Sequence, residues 1–303
     1  MCSKATTACT IPVLLVLCVF AVSECAKAPP RLPSSGVEVV GLHEDRFQSS
    51  FLDLEMACQS LTVTARARVR GSIDRRRIDT FLWVGVDASF RSGNNGTGPR
   101  MRLESIDRDA SRFALLAGYT PGFGGKDDAT VLLSNGRWVV RGRSRELVEL
   151  VLGLPLSAPE LQSVLTGCPV ITGDLKIESF DEATGKIVSQ SGDAAIEVFI
   201  RRDRIASPWT MFAMTGSVPG RPIGWRADPG ERAHGVLESV RLTSLEWNAR
   251  PGRRFDLTVS FDRIQTPALG TGANLFSLPI PEAAETIAID AVQSSLSIPL
   301  LAD

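Results

Sequence analysis

Strict alternation of apolar and polar residues is the feature that most constrains the fold of this chain. In Leu61–Arg70 (LTVTARARVR), every second residue is apolar and the residues between them are threonine or arginine. Phe255–Asp262 (FDLTVSFD) alternates in the same way. Since successive side chains of a strand point to opposite faces, each segment predicts a strand with one covered and one wet face. Such strands are typical of antiparallel sheets.

Further strands are predicted along most of the chain. Phe81–Val86 (FLWVGV) is apolar on both faces, which indicates a more central strand. Asn135-Gly136 lies between two apolar runs and is a strong signal for a two-residue hairpin turn. Phe47–Cys58 predicts a short helix before the first strand. In total the patterns predict about ten or eleven strands, with no change of composition that would mark a second domain.

Two short amphipathic helices interrupt the strands in Leu147–Cys168 (LVELVLGLPLSAPELQSVLTGC), a segment we call the helical pair. The ends of the second helix are clearly marked. Ser157 is its N-cap, Glu160 completes a capping box, and Gly167 stands at the C-cap. The pair carries no catalytic side chain, so we expect it to pack against or cover the strands.

The first 24 residues predict an export signal, with Lys4 as the positive residue and Val13–Val22 as the apolar run. That run of about ten residues is too short to span the roughly 30 Å of a bilayer core. Two cleavage sites fit. Ala21-Val22-Ser23 suits an ordinary signal peptidase. Val22-Ser23-Glu24-Cys25 resembles a bacterial lipoprotein box, in which Cys25 is acylated, although Glu24 departs from the small residue usual before the cysteine.

The remainder of the chain divides into a tether and one domain. Residues 25–45 predict a flexible tether, because AKAPPRLPSSG is rich in proline, serine and small residues. Residues 46–303 predict a single domain. An acylated Cys25 would anchor the protein to the outer membrane, facing the periplasm. Without acylation we expect a periplasmic protein.

The cysteine count predicts one disulfide. Three of the six cysteines lie in the signal and Cys25 is the acylation site, which leaves Cys58 and Cys168. In an oxidising compartment two such cysteines most simply pair with each other. Closing a loop of about 110 residues is worth about 4 to 5 kcal/mol in the chain-entropy account. Metal binding by two lone thiols is disfavoured, since only His43 and His234 could assist them.

Composition and motifs argue against several function classes. The net charge of −1 creates no overall field that would attract nucleic acid. No G-x-S-x-G or H-E-x-x-H motif occurs, so we predict no enzymatic activity, no catalytic residues, no metal and no cofactor. Arg75-Arg76-Arg77 caps a hairpin, either as a solvated turn or as a contact for lipid head groups.

The order of these features resembles the LolA/LolB-like group of bacterial envelope proteins, nearest to its LolB-like and uncharacterised lipoprotein members. The likeness rests on the signal with its lipobox, the helix that ends in cysteine, the alternating strands, GLPLSAPELQSVLTGC and the terminal LFSLPIPE. It implies a mainly β (α+β) fold, in which a strongly curved antiparallel sheet forms an unclosed barrel with a short helical lid in its mouth. The enclosed apolar hollow would hold acyl chains.

The resemblance also implies a membrane-contact loop. The receptor members carry a protruding apolar loop after an early strand, whereas this chain has a short polar turn there. The nearest substitute is Tyr119–Gly125 (YTPGFGG), with Tyr119 and Phe123 as the contact residues.

We therefore predict a carrier or outer-membrane receptor that binds lipid or lipoprotein acyl chains, is anchored in the membrane, and has an envelope protein as a possible partner. The alternative is a non-carrier periplasmic scaffold with a filled half-barrel, because core and cavity linings look alike in sequence. Small residues such as Ala65 favour a hollow, whereas Phe81 and Trp83 could fill it. The expected lining of the sheet is Val63, Ala65, Ala67, Val69, Leu103, Leu257 and Val259. The expected lining of the helical pair is Leu147, Leu150, Val151, Leu161, Val164 and Leu165.

Overall fold

The structure is a computed structural model of the chain. It describes residues 31–33, 37–38, 54, 58, 61–87, 100–106, 113–118, 128–134, 136–169, 174–179, 181–191, 194–204, 207–217, 223–233, 236–246, 254–266 and 275–295. Internal contacts divide the chain into two units, Met1–Leu32 and Pro33–Asp303. Only residues 31–32 of the first unit are described, so every described helix and strand belongs to the second unit.

The second unit contains two successive β-meanders with a pair of helices between them. The first meander has strands β2 Thr62–Ile73, β3 Arg76–Asp87, β4 Arg100–Ser105, β5 Phe113–Gly118, β6 Asp128–Leu133 and β7 Trp138–Arg143. The helical pair comprises α1 Ser144–Leu152 and α2 Ala158–Thr166. The second meander has β8 Asp174–Ser179, β9 Thr184–Ser191, β10 Ala194–Arg201, β11 Thr210–Ser217, β12 Ile223–Pro229, β15 Ser239–Glu246 and β16 Phe255–Gln265. The shorter elements are β1 Val37–Glu38, β13 Arg232–Ala233, β14 Val236–Leu237, β17 Glu285–Thr286 and α3 Ile289–Ser295.

Both meanders belong to one sheet. Its strand order is β1-β8-β9-β10-β11-β12-β15-β16-β2-β3-β4-β5-β6-β7-β17, and the antiparallel pairing of β16 with β2 joins the two halves. Only β17 on β7 is parallel among these pairs of described strands. The sheet is curved and its edges do not meet, so the predicted unclosed antiparallel sheet is confirmed.

The described part of the chain contains one long strand that the sequence patterns did not predict, β12. Its sequence, IGWRADP, contains glycine, proline and two charges, all of which disfavour a strand. Antiparallel pairing with β11 and β15 overrides this local preference. Trp225 and Ala227 are completely buried. Arg226 and Asp228, the alternate residues of the strand, form an ion pair at 2.5 Å.

The buried core lies on one face of the sheet, which we call the inner face. On β2, Ala67 and Val69 point to this face, as the alternation predicts. On β3, Leu82 and Val84 point inward. The two aromatic residues of Phe81–Val86 therefore lie on the opposite, outer face, because successive side chains alternate. The expectation that Phe81 and Trp83 could fill the hollow was wrong.

Arginines and a C-terminal segment cover the aromatic side chains of the outer face. The guanidinium carbon of Arg66 lies 4.0 Å from the centroid of the Phe81 ring, within cation–π distance. Arg102 donates hydrogen bonds to the carbonyls of Leu275 and Ser277. These bonds hold the intervening Phe276, which is buried, against the sheet. The segment LFSLPIPE thus contributes to the outer layer.

β6 and β7 form a hairpin as predicted, but four residues, 134–137, separate the paired Leu133 and Trp138, so the predicted two-residue turn was wrong. The Gly136 amide donates to the Leu133 carbonyl at 3.1 Å. Asn135 itself lies outside the described residues. Within the range predicted as a tether, Val37–Glu38 forms β1 and pairs with β8. No helix among the described residues is long and apolar enough to span a membrane.

Several predictions fall on residues that the structure does not describe. Of the predicted helix Phe47–Cys58, only Leu54 and Cys58 are described, and both are helical. The predicted signal (residues 1–24) and most of the predicted tether also lie outside the described residues, as do Cys25, Tyr119, Phe123, His43 and His234.

Candidate functional site: an apolar cavity beneath the helical pair

The helical pair crosses the inner face of the sheet from one side to the other. It begins directly after β7 and leads on to β8, and these two strands lie next to opposite edges of the sheet. Helix α1 packs on β5, β6 and β7, whereas α2 packs on β5 and β14. The predicted helical cover over the sheet is therefore present.

Burial holds α1 in position. Arg143 stands at its N-cap but makes no capping hydrogen bond through its side chain. Leu147, Val148 and Val151 have no exposed surface. Gly153 ends the helix in the left-handed conformation, with φ of 69°, which glycine adopts without steric penalty.

The predicted caps of α2 are confirmed. The Ser157 hydroxyl accepts a hydrogen bond from the Glu160 amide at 3.5 Å, and the Ser157 amide donates to Glu160 Oε2 at 2.5 Å. This reciprocal pair satisfies two amides that the first turn would otherwise leave unbonded. Gly167 ends the helix with a φ of 67°.

A buried acid ties the two helices to each other. Glu160 is 3% exposed, and its Oε1 accepts a hydrogen bond from Arg145 of α1 at 2.8 Å. The same guanidinium donates to the carbonyl of Pro155 in the connecting loop at 2.5 Å. Ala158 donates its amide to the Ser144 hydroxyl at 3.0 Å. Because both helices and their loop share these bonds, the pair forms one packed unit.

The C-terminal end of α2 is fixed to the rest of the domain. The predicted disulfide between Cys58 and Cys168 is present, with Cα atoms 5.6 Å apart. Leu61, just before β2, donates its amide to the Cys58 carbonyl, so the bridge lies near the start of that strand. Arg232 donates to the Gly167 carbonyl at 2.9 Å and places a cation at the negative end of α2. Burial lowers the pKa of Arg232 below its ordinary value.

An apolar cavity lies between the inner face and the helical pair. Its volume is about 20 Å³, enough for one or two water molecules, although a cavity without polar partners stays dry. It is lined on the sheet side by Ala67, Val69, Leu82, Val84, Leu103, Leu242, Leu257 and Val259. It is lined on the helical side by Leu152, Leu154, Leu161 and Leu165.

The structure brings about half of the predicted cavity residues together at this site. Those that line the cavity are Ala67, Val69, Leu103, Leu161, Leu165, Leu257 and Val259. The others are buried in the core and are not part of this lining: Val63, Ala65, Leu147, Leu150, Val151 and Val164.

Five lining residues, from three segments of the chain, were missing from the prediction. Leu82 and Val84 belong to a segment that is apolar on both faces, so alternation alone could not identify the inner residues. Their pairing with Ala67 and Ala65 supplies that information. Leu152 and Leu154 flank the glycine that ends α1, and Leu242 lies on a strand whose inner face depends on its pairing with Leu257.

The chemistry available at the cavity is limited to apolar contact. Every lining side chain is alanine, valine or leucine, so none can transfer a proton or coordinate a cation. Elsewhere in the described part of the chain, no group of three or more histidine, cysteine, aspartate or glutamate side chains could hold a metal ion.

Comparison with solved structures gives distant likenesses in fold. No known protein family and no curated protein matches the sequence. The fold is similar to a DUF1329 family protein from Desulfovibrio piger, with 11% identity, a TM-score of 0.49, and coverage of 77% of this chain and 96% of that chain. It is also similar to LprF from Mycobacterium bovis, with 10% identity, a TM-score of 0.25, and coverage of 82% and 100%. Both TM-scores are below 0.5, and the identities are too low to indicate a shared activity.

Proposed function

We propose that this protein binds an acyl chain between the inner face of its sheet and the helical pair, as a carrier or receptor in the bacterial cell envelope. The observation that carries the proposal is the cavity, because all twelve of its lining residues are apolar. A site without a hydrogen-bonding group selects hydrocarbon over polar ligands. The helical pair supplies four of these residues, so it acts as the lid.

A chain enters this site only if the helical pair moves away from the sheet. Exposing Leu152, Leu154 and the two cavity-lining leucines of α2 costs about 6 to 12 kcal/mol, at roughly 1.5 to 3 kcal/mol for each side chain. A sixteen-carbon chain gains about 12 kcal/mol on leaving water, at about 0.8 kcal/mol per methylene. The two quantities are of similar size, so a chain that comes from water can offset the opening.

The same comparison of free energies indicates the direction in which an acyl chain would be transferred. A chain already in a bilayer gains little by moving into another apolar environment, so it would not offset the opening of the helical pair. We therefore expect the protein to take acyl chains from a soluble carrier or from water. Release into a membrane is then favourable, because the helical pair closes again over the sheet.

We also propose a cellular location for the protein. An acylated Cys25 would anchor it to the outer membrane facing the periplasm, and unacylated protein would be periplasmic. The proposed role is binding without catalysis, and the partner that delivers the chain would be a lipoprotein or an envelope protein that carries one. Tyr119 and Phe123 remain candidates for a loop that touches the membrane.

A non-carrier scaffold is the second candidate, and the tight packing favours it. The cavity of about 20 Å³ does not accommodate an acyl chain while the helices are closed. Leu147, Val151 and Val164 have no exposed surface, as in an ordinary filled core. In this case the half-barrel would present its surface to a partner complex.

Native mass spectrometry separates the two candidates. Delipidated protein is titrated with a triacylated peptide and, separately, with a phospholipid. The carrier proposal expects one ligand per chain at micromolar concentration. It also expects faster amide hydrogen exchange in Leu152–Ser157 when the ligand is bound. If neither ligand gives a bound species, the carrier proposal is wrong and the scaffold is favoured.

Two matched variants localise the binding. Ala67→Leu adds methyl groups to the cavity lining, whereas Ala65→Leu adds the same groups to the inner face of the same strand outside the lining. Overpacking destabilises either variant by about 1 to 3 kcal/mol. Only Ala67→Leu should lower ligand occupancy among folded molecules. Equal loss in both variants would place the ligand elsewhere.

A further inference from the structure

The turn between β2 and β3 is strongly basic. Residues 70–79 contain four arginines and two aspartates, in a chain whose net charge is −1. Arg75, Arg76 and Arg77 are exposed. No hydrogen bond or ion pair joins their side chains to another group in the described parts of the chain. We call these three residues the arginine turn.

The two aspartates nearby are engaged by other groups. Asp74 accepts a hydrogen bond from the Arg254 amide at 2.8 Å, and its own amide donates to the Arg254 carbonyl at 2.7 Å. Asp79 accepts two hydrogen bonds from Arg68, each at 2.8 Å. The carboxylates are therefore directed to the neighbouring strands, and the arginine turn keeps its positive charge.

The backbone of the turn adds a second observation. Asp74 and Arg75 both have positive φ, of 47° and 70°, as a type I′ hairpin requires. The second position of such a turn is usually glycine, which adopts this conformation more readily than residues with a Cβ atom. An arginine is present where the local geometry favours glycine, so its charge contributes something that the turn itself does not need.

The arginine turn lies close to the cavity along the sheet. Leu257 lines the cavity and pairs with Gly71 of β2, whereas Arg76 pairs with Ile73 two residues further on. At about 3.4 Å per residue, Arg76 lies ~7 Å beyond the level of Leu257 along the strand. The disulfide lies near the opposite end of β2, before Leu61.

We propose that Arg75, Arg76 and Arg77 dock the protein on an anionic phospholipid surface. Clustered arginines near a membrane are attracted by anionic lipids, and the planar guanidinium matches phosphate oxygens in pairs. The near-zero net charge provides no general attraction, so docking depends on this local patch. The docked turn would bring the nearby cavity close to that surface. This inference goes beyond acyl-chain binding and does not depend on it.

Partition of the full chain onto vesicles tests the proposal. The measured quantity is the ratio of the partition coefficient for vesicles of phosphatidylglycerol and phosphatidylcholine to that for phosphatidylcholine alone. Contributions of an N-terminal apolar segment or acyl anchor largely cancel in this ratio. The change Arg75→Gln/Arg76→Gln/Arg77→Gln should lower it about fivefold per arginine, on the order of a hundredfold in total. An unchanged ratio would overturn the proposal.

Two control variants separate this site from general charge. Lysine at all three positions keeps the charge, so the ratio of partition coefficients should stay close to that of the original chain. Arg137→Gln/Arg141→Gln/Arg143→Gln removes three exposed arginines from β7 and its preceding turn and should leave the ratio near that of the original chain. If the ratio of partition coefficients falls as far in the β7 variant as in the Arg75/Arg76/Arg77 glutamine variant, the docking site is not the arginine turn.

A further experiment distinguishes lipid phosphate from free phosphate as the ligand of the arginine turn. Inorganic phosphate at constant ionic strength should not release the protein from anionic vesicles, and release would indicate a site for free phosphate instead.

Arg75→Gly relieves the unfavourable turn conformation, so it should raise thermal stability while it lowers the ratio of partition coefficients. A ratio that is unchanged in this variant would assign Arg75 a structural role only. Acyl-chain occupancy, measured on the same variants, should be unaffected, which keeps the two proposals separately testable.

Discussion

The two helices of the pair are in contact, yet different interactions hold them. Helix α2 has a capping box, a left-handed glycine, a disulfide at its C-terminal end and an arginine on its last carbonyls. Helix α1 has no side-chain cap at its start; like α2 it ends at a left-handed glycine and is largely buried. Local and covalent bonds thus add to the packing of α2, whereas α1 depends mainly on tertiary packing.

This difference determines how the helical pair can move. The C-terminal end of α2 stays near the start of β2 as long as the disulfide is intact. Any opening must therefore begin at the connecting loop, where Leu152 and Leu154 cover the cavity. The bonds of Arg145 to Pro155 and Glu160 keep the loop with both helices, so they should move together.

The largest expected effect comes from removing the covalent bond of α2. Replacing Cys58 and Cys168 with alanine should lower the free energy of unfolding by about 4 to 5 kcal/mol, because the unfolded chain loses a constraint over about 110 residues. Urea unfolding measures the change. Reduced protein with both cysteines should match the variant, and a loss below about 1 kcal/mol would contradict the role assigned to the bridge.

A truncation in α1 tests whether packing holds that helix. Leu147→Ala removes a fully buried side chain, and we expect a loss of about 2 to 5 kcal/mol in the free energy of unfolding. Glu146→Ala changes an exposed neighbour on the same helix and should stay within about 0.5 kcal/mol. Similar midpoints for the two variants in urea would show that burial does not fix α1.

The ion pair between Glu160 and Arg145, which links the two helices, should contribute less to the free energy of unfolding than the burial of Leu147. Glu160→Gln keeps the shape of the capping side chain but removes the charge that faces Arg145, so we expect a loss of about 1.5 to 3 kcal/mol. A double-mutant cycle with Arg145→Met isolates the pairwise contribution. Additive losses would mean that the two side chains do not couple and that the helices are held separately.

The parts of the fold that the sequence predicts well are those that short segments encode. Ser157, Glu160 and Gly167 lie within one helix and its ends, so their roles follow from spacing alone. The inner face of β2 follows from alternation within ten residues. The pairing of Cys58 with Cys168 is a long-range contact, but it could be predicted because the other cysteines had separate assignments.

The parts that it predicts poorly depend on which strands become neighbours. Leu82 and Trp83 are both apolar, and only the register with β2 decides which of them reaches the inner face. β12 forms against local preference because it pairs with β11 before it and β15 after it in the meander, which its own composition does not reveal. Whether an inner residue lines the cavity depends on the helix above it, which no strand pattern contains.

The smallest expected effect compares the starts of the two helices directly. Ser157→Ala removes the hydroxyl that accepts the Glu160 amide, so α2 should lose about 1 kcal/mol. Arg143→Ala removes the N-cap side chain of α1, which makes no such bond, and should change stability by less than about 0.5 kcal/mol. Urea midpoints with a common slope measure both changes. An equal loss in the two variants would mean that the start of α1 is also held by its first residue, and packing alone would then no longer account for its position.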